Sequence, residues 1–160
     1  MKIRIMTARD KPAVMSILHN TPEFTPDEVD LAEEVIDDYL QDTDASGFWG
    51  LVADMEPGIG GYIIYGTVPI TDRVWEVYWV AVDRSIRGQG VGKKLMETAE
   101  IEMWEAGARI IVLETSSKPE YDRTNLFYTR SGYKVCGRIK DFYMIGDDQI
   151  TYEKRRENGS

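Results

Sequence analysis

A chain of 160 residues with 42% apolar and 29% charged side chains has the size for one hydrophobic core and the composition of an ordinary globular protein. Its formal net charge of −9 argues against nucleic acid as a partner, because phosphate backbones select basic surfaces, and suits either a cationic substrate such as an amine or plain solubility. No window approaches the ~18 apolar residues of a membrane span, the lone Cys136 excludes an internal disulfide and suggests a reducing cytoplasm, and the lack of a cysteine or histidine cluster argues against a metal such as zinc.

Ile3, Ile5 and Thr7 alternate with polar neighbours and predict a first strand, so the N-terminus reads as a strand rather than a signal peptide. Thr7 or Asp10 is placed to cap the helix that follows. Pro12 stands in its first turn, Ala13, Val14, Ile17 and Leu18 form its inner face, and His19 ends it. A histidine there serves as a base or simply complements the helix dipole, and no partner motif accompanies it. Residues 20–26 form a loop. Thr25-Pro26-Asp27-Glu28 then supplies an N-cap, a proline at the first helical position and first-turn acids for a helix reaching about Leu40. Val29, Leu31, Ala32, Val35, Ile36, Tyr39 and Leu40 are available for packing. Asp30, Glu33, Glu34, Asp37 and Asp38 make an acidic face, either solvated or walling a site for a protonated amine.

Residues 41–47 read as a polar linker. Strands at 48–53 and 60–66, separated by a turn at 54–58, suit antiparallel pairing. Residues 67–72 form a loop positioned to overhang the mouth of a site. Trp75 to Val82 is almost continuously apolar, which predicts a central strand buried on both faces. A period of two puts Glu76, Tyr78, Val80 and Val82 on one of those faces. The helix from Val91 to Ala106 carries Val91, Leu95, Met96, Ala99, Met103 and Ala106 along one side, with Glu97, Glu100 and Glu102 mostly toward water and Gly107 beyond its end. Residues 110–114 are a strand parallel to the central one through a right-handed crossover. A loop at 116–120 leads to a short helix starting at Asp122 or Thr124 and stopped by Gly132. Strand material at 133–137 and 139–145, a turn at 146–148, a strand at 149–153 and a charged tail from residue 155 complete the chain. The order predicts an α/β (α+β) fold: a mixed six- or seven-stranded sheet flanked by about four helices.

Between the central strand and its helix lies Arg87-Gly88-Gln89-Gly90-Val91-Gly92-Lys93. Strand, glycine-rich turn and helix form a phosphate cradle: the helix N-terminus leaves N–H groups without partners at the positive end of its dipole, and glycines let an anion reach bare amides. Arg87 adds a positive fork. A P-loop would need a glycine where Arg87 stands and a hydroxyl where Lys94 stands. A dinucleotide fingerprint should follow its strand at once and would need glycine at Lys93, although Glu114 does lie where a ribose-binding acid would sit. A methyl-donor site would want an acid at Ile86.

Arg87-Gly88-Gln89-Gly90-Val91-Gly92 resembles the R/Q-x-x-G-x-G/A pyrophosphate motif of the GNAT (acetyl-CoA-dependent N-acetyltransferase) superfamily. The flanks agree: Val80-Ala81-Val82-Asp83 precedes it, and Asn125-Leu126-Phe127-Tyr128-Thr129-Arg130-Ser131-Gly132-Tyr133 is similar to that family's F-Y-x-x-x-G-[FY] signature. The motifs cover roughly residues 75–135. The resemblance implies one N-acetyltransferase domain over residues 1–154, with acetyl-CoA in a splay between the central strand and the strand at 110–115. It implies that backbone groups of Val80, Ala81 and Val82 bond the pantetheine arm as a neighbouring strand would. The stretch from Arg87 through Gly88, Gln89, Gly90, Val91, Gly92 and Lys93 would hold the pyrophosphate, with no metal.

Tyr128 sits where the family's general-acid tyrosine sits; the other reading is an aromatic packed on the sheet beside Phe127. Glu76 lies five residues before Ala81, where some members carry a general-base glutamate; the other reading is a hydrogen-bonded or solvated acid near the strand's start. Cys136, in a late strand, reads as core. The chain departs from the family at Tyr121, where many members carry an asparagine seven residues before the tyrosine, and Thr124 replaces a common alanine. Tyr121 is therefore a candidate for shaping the acceptor pocket. The implied function is acetyl transfer from acetyl-CoA to a primary amine of a small molecule or peptide, by direct attack in a ternary complex. The alternative is a non-catalytic acyl-CoA-binding or regulatory module, which needs the cradle but neither Tyr128 nor Glu76. Acceptor identity is expected to lie in loops 20–26 and 67–73. Neither nucleic acid nor membrane is an expected partner, and edge strands near the C-terminus are compatible with a homodimer.

Overall fold

The computed structural model describes residues 1–157. Its elements are β1 (Lys2–Ile5), α1 (Lys11–His19), α2 (Pro26–Gln41), α3 (Thr43–Ser46), β2 (Phe48–Asp54), β3 (Ile59–Thr67), β4 (Val74–Val82), α4 (Val91–Glu105), β5 (Ile110–Ser116), α5 (Asp122–Arg130), β6 (Lys134–Met144) and β7 (Asp147–Arg155). The strands form one sheet in the order β1-β2-β3-β4-β5-β7-β6. All neighbours pair antiparallel except β4 and β5, which run parallel. No helix among the described residues is long and apolar enough to cross a membrane.

Strand alternation feeds two cores, one on each face of the sheet. On β3, Ile63 and Tyr65 enter a core shared with Leu95, Met96, Ala99 and Met103 of α4 and Tyr128 of α5. Their neighbours Tyr62 and Ile64 enter a core shared with Val14, Ile17 and Leu18 of α1 and Val29, Ala32, Ile36 and Tyr39 of α2. The caps follow the sequence. Thr25 Oγ1 accepts from the Glu28 N–H (3.2 Å), and the Glu28 carboxylate accepts from the Thr25 N–H (3.0 Å), which fixes the start of α2. The residues expected as a linker at 41–47 include the short α3, because Asp42 Oδ1 accepts from the Ala45 N–H (3.1 Å) and Gly47 supplies the left-handed residue that ends it (φ 75°).

Several expectations give way to tertiary structure. The central strand does not keep a simple period of two. Ile64 pairs with Trp79 and Tyr65 with Val77, so Tyr78 is an extra, bulged residue. The bulge switches parity: Val80 and Val82 join Trp75 and Val77 on the α4 face, while Tyr78 and Ala81 face the α1–α2 core. Glu100 does not face water. It is buried and accepts from Tyr133 Oη (2.7 Å) and Lys154 Nζ (3.1 Å), and Glu102 accepts from the Tyr65 hydroxyl. The two strand segments expected after Gly132 are one strand, β6, and Cys136 on it is exposed rather than core, because β6 is an edge strand with little covering it. Of the tail expected from residue 155, Arg155 still pairs with Ile110 as the last residue of β7, and residues 158–160 lie outside the described residues.

The feature that shapes a site is a split in the sheet. Pairing between β4 and β5 is confined to Val74 with Ile110, Trp75 with Ile111 and Glu76 with Val112. From Val77 onward β4 keeps only its β3 partner, so one of its backbone edges is left without a strand.

Candidate active site

A cleft of about 990 Å³ occupies this split. Its walls include Val80, Ala81 and Val82 from the open edge of β4, Gly88, Gly90, Val91, Gly92 and Lys93 from the turn into α4, and Tyr128 from α5. Arg87 and Glu76 line it as well. The residues read from the sequence as one site are thus brought to one cavity; Gln89 lies in the same turn but is not among the lining residues.

The cradle is built as its sequence demands. Asp83 Oδ1 accepts from the Ser85 N–H (2.9 Å) and turns the chain out of β4. Gly88 and Gly90 have φ of 84° and 82°, a region that side chains with a Cβ seldom adopt. Lys94 N–H is the first of α4 to reach an intrahelical acceptor, Gly90 O at 3.0 Å. The N–H groups of Val91, Gly92 and Lys93 are therefore the orphan donors of a fifteen-residue helix. A Cβ built at Gly88 or Gly90 would meet no atom within 4 Å, so the left-handed backbone and not crowding is what calls for glycine at these two positions. A diphosphate fits this donor set and its positive dipole end.

Glu76 sits where β4 leaves β5. Burial, joined by the charge of Glu114 on the opposite wall, pushes its carboxyl up to about 7. Burial and the charges of Glu76 and Glu114 push the Tyr78 phenol up to about 12. Tyr128 is 6% exposed and packs against Phe127, Tyr133 and Tyr152 with ring centroids 5.4, 6.1 and 5.9 Å away. Among the described residues no protein group hydrogen-bonds its hydroxyl. Burial, then the neighbouring Tyr152, raise the phenol well above its ordinary value, so it stays protonated. Asn125, out of register with the expected cofactor contact, fastens α5 instead: Thr115 Oγ1 and Tyr152 Oη donate to its Oδ1 (2.6 and 2.9 Å), and its Nδ2 donates to Ser116 O (3.1 Å).

Sequence reasoning missed part of the lining and misplaced another part. Glu23, Glu28 and Glu114 line the cleft. Glu114 could have been found as the acid that closes a strand parallel to the central one, whereas Glu23 sits in a loop with no pattern to mark it. Of the two readings of the acidic face of α2, the structure shows the solvated one: none of Asp30, Glu33, Glu34, Asp37 and Asp38 lines the cleft, and Glu33 and Asp37 pair with Lys11 (3.2 and 2.6 Å). The loop at 67–73 does not overhang the mouth either. It joins β3 to the start of β4, at the end of the sheet where β4 and β5 are paired, and its Asp72 accepts from Arg109. His19 is exposed at the end of α1 and outside the cleft. No group of three His, Cys, Asp or Glu side chains among the described residues is placed to hold a metal ion.

A family model described as acetyltransferase (GNAT) family matches residues 13–133. The chain is 29% identical over 119 residues to an uncharacterized N-acetyltransferase of Methanocaldococcus jannaschii, covering 70% of this chain and 73% of that one. Among solved structures, a protein of Desulfovibrio desulfuricans assigned to the GNAT acetyltransferases superposes with a TM-score of 0.92 at 31% identity, over 96% of this chain and 98% of the other. An aminoglycoside 6′-N-acetyltransferase in complex with coenzyme A superposes with a TM-score of 0.74 at 19% identity over 97% of each chain, a likeness of fold.

Proposed function

The chain belongs to the GNAT acetyltransferase family, and on that premise we propose that it transfers an acetyl group from acetyl-CoA to a primary amine of a small molecule or peptide, with both substrates bound together. Acetyl-CoA supplies the activated acyl group as a thioester. The observation that carries this reading is the split beyond Glu76: it opens a backbone edge beside orphan N–H donors and brings Glu76 and Tyr128 to one cleft.

Each residue has a distinct task. The N–H groups of Val91, Gly92 and Lys93, with Gly88, Gln89, Gly90 and Arg87 around them, hold the diphosphate. The edge of β4 at Val80, Ala81 and Val82 aligns the pantetheine arm as an added strand, which orients the thioester. An amine is unreactive as an ammonium, so Glu76 takes its proton, directly or through water. A carboxylate raised to about 7 is a far stronger base than an ordinary one and is still substantially ionised at neutral pH. A backbone N–H near Val80 faces the negative charge that develops on the acyl oxygen. As the C–N bond forms and the C–S bond breaks, Tyr128 gives its proton to the departing sulfur. Cytoplasm is the compartment this reading assigns, supported by the single unpaired cysteine.

A CoA-release assay across monoamines, diamines and peptides tests the proposal. Turnover of at least one amine, lost in Tyr128→Phe while CoA still binds, is the expected result. CoA binding without turnover of any amine would instead favour a non-catalytic acyl-CoA-binding module.

A further inference from the structure

We propose that Glu23 is a resident anion on the cradle: its carboxylate holds Arg87 in the free protein, and the diphosphate of acetyl-CoA has to displace it. The inference rests on the cofactor reading above. Three segments far apart in sequence meet here. Glu23 lies in the loop between α1 and α2, Arg87 in the turn from β4 to α4, and Tyr121 just before α5. Arg87 Nη1 donates to Glu23 Oε1 (3.4 Å) and Nη2 to Oε2 (3.3 Å), the paired geometry with which a guanidinium grips a carboxylate or a phosphate. Tyr121 Oη donates to the main-chain carbonyl of Glu23 (3.3 Å). One residue therefore ties the loop to both lips of the split.

The two side chains are sheltered, at 16% exposure for Glu23 and 28% for Arg87, so water and salt screen the pair less than they would a surface pair. The ends of the loop are fixed independently. Thr21 Oγ1 donates to Ile17 O (2.7 Å), and the reciprocal Thr25–Glu28 cap secures α2. Glu23 can release Arg87 without unravelling either helix. Phosphate and carboxylate compete for the same fork, and an anion seated on the amides of Val91 to Lys93 adds repulsion against Glu23. Glu23, Phe24 and Tyr121 all line the open cleft, so a carboxylate released from Arg87 has solvent to turn into. Glu23 is thus a positioning residue that makes the α1–α2 loop respond to the cofactor. Tyr121, where many family members carry an asparagine, supplies the tether that keeps the loop in place.

Calorimetric titration of CoA into the wild type, Glu23→Gln and Glu23→Ala tests this. Both variants lose the competing charge, so both are expected to bind CoA about three- to tenfold more tightly than the wild type. A merely structural contact would move affinity the other way, so equal or weaker binding by the variants, with melting temperatures unchanged, would overturn the inference and leave the cofactor reading intact. No CoA binding by the wild type or by either variant would remove the cofactor reading itself, and the inference with it.

Discussion

Glu76 shows how a single carboxyl links stability to chemistry. The fold raises it from an ordinary 4.5 to about 7, through burial and the charge of Glu114. Between those two values the folded protein holds a proton that the unfolded chain has released, so stability falls as pH rises from about 4.5 to about 7. Glu76→Gln removes that loss. It is expected to exceed the wild type in stability by on the order of 1–2 kcal/mol at pH 8, after screening by cleft water, and to match it at about pH 4, as denaturant titration at the two pH values would show. The same substitution should lower kcat/KM by about 10²-fold and erase the rise in rate centred near pH 7. Tyr128→Phe should act on rate alone. Its hydroxyl has no protein partner to lose, so stability should stay within about 1 kcal/mol while kcat drops by about 10²-fold. Both residues were legible through the family resemblance, Tyr128 by the signature that runs to Gly132-Tyr133 and Glu76 by its place five residues before Ala81, and both line the cleft. Glu114 had a sequence signal in its place on the strand parallel to β4, but its effect on Glu76 acts across the split. Glu23 had none, because it meets Arg87 from a loop 64 residues away in sequence.

At the scale of elements, the cradle separates glycines that look alike in the sequence. Gly90 has φ 82° as the residue that caps α4, whereas Gly92 lies inside the helix, where an added Cβ would sit in ordinary contact with Val82 (3.5 Å) and Phe127 (3.7 Å). Gly90→Ala should cost about 1–2 kcal/mol through left-handed strain. Gly92→Ala should be neutral or stabilising by up to about 1 kcal/mol through helix propensity; thermal denaturation of the pair checks the contrast. Caps, helix ends and element order were readable in the chain because they are local chemistry. The bulge at Tyr78 was not, since it depends on how β3 and β4 match across the sheet. An apolar run with both faces buried carries no alternation that could betray a shift in parity. Loop 67–73 was misplaced for a related reason: its residues do not say which end of β4 stays zipped to β5.

For the whole molecule, the split leaves β1–β4 and β5–β7 joined within the sheet by three residue pairs, with α4 and α5 packed across the junction. A ligand that adds a strand to the open edge of β4 and anchors at the N-terminus of α4 engages both the sheet and a helix crossing that junction. Binding to the folded state alone stabilises it by about 2.7 kcal/mol at a concentration one hundred times Kd. For a chain of this length that corresponds to a rise of roughly 5–11 °C in Tm. CoA should produce this shift, and NAD and S-adenosylmethionine at the same concentration should not. Stabilisation by either of those two without CoA would mean that the glycine turn serves a different cofactor. Amide exchange distinguishes a ligand that only clamps the cradle from one that also fills the split. In the CoA complex, protection should rise at residues 77–82, where β4 has lost its β5 partner, as well as at Val91 to Lys93. A rise confined to the cradle would leave the pantetheine arm without the strand contacts on which its alignment, and hence the chemistry assigned to Glu76 and Tyr128, depends.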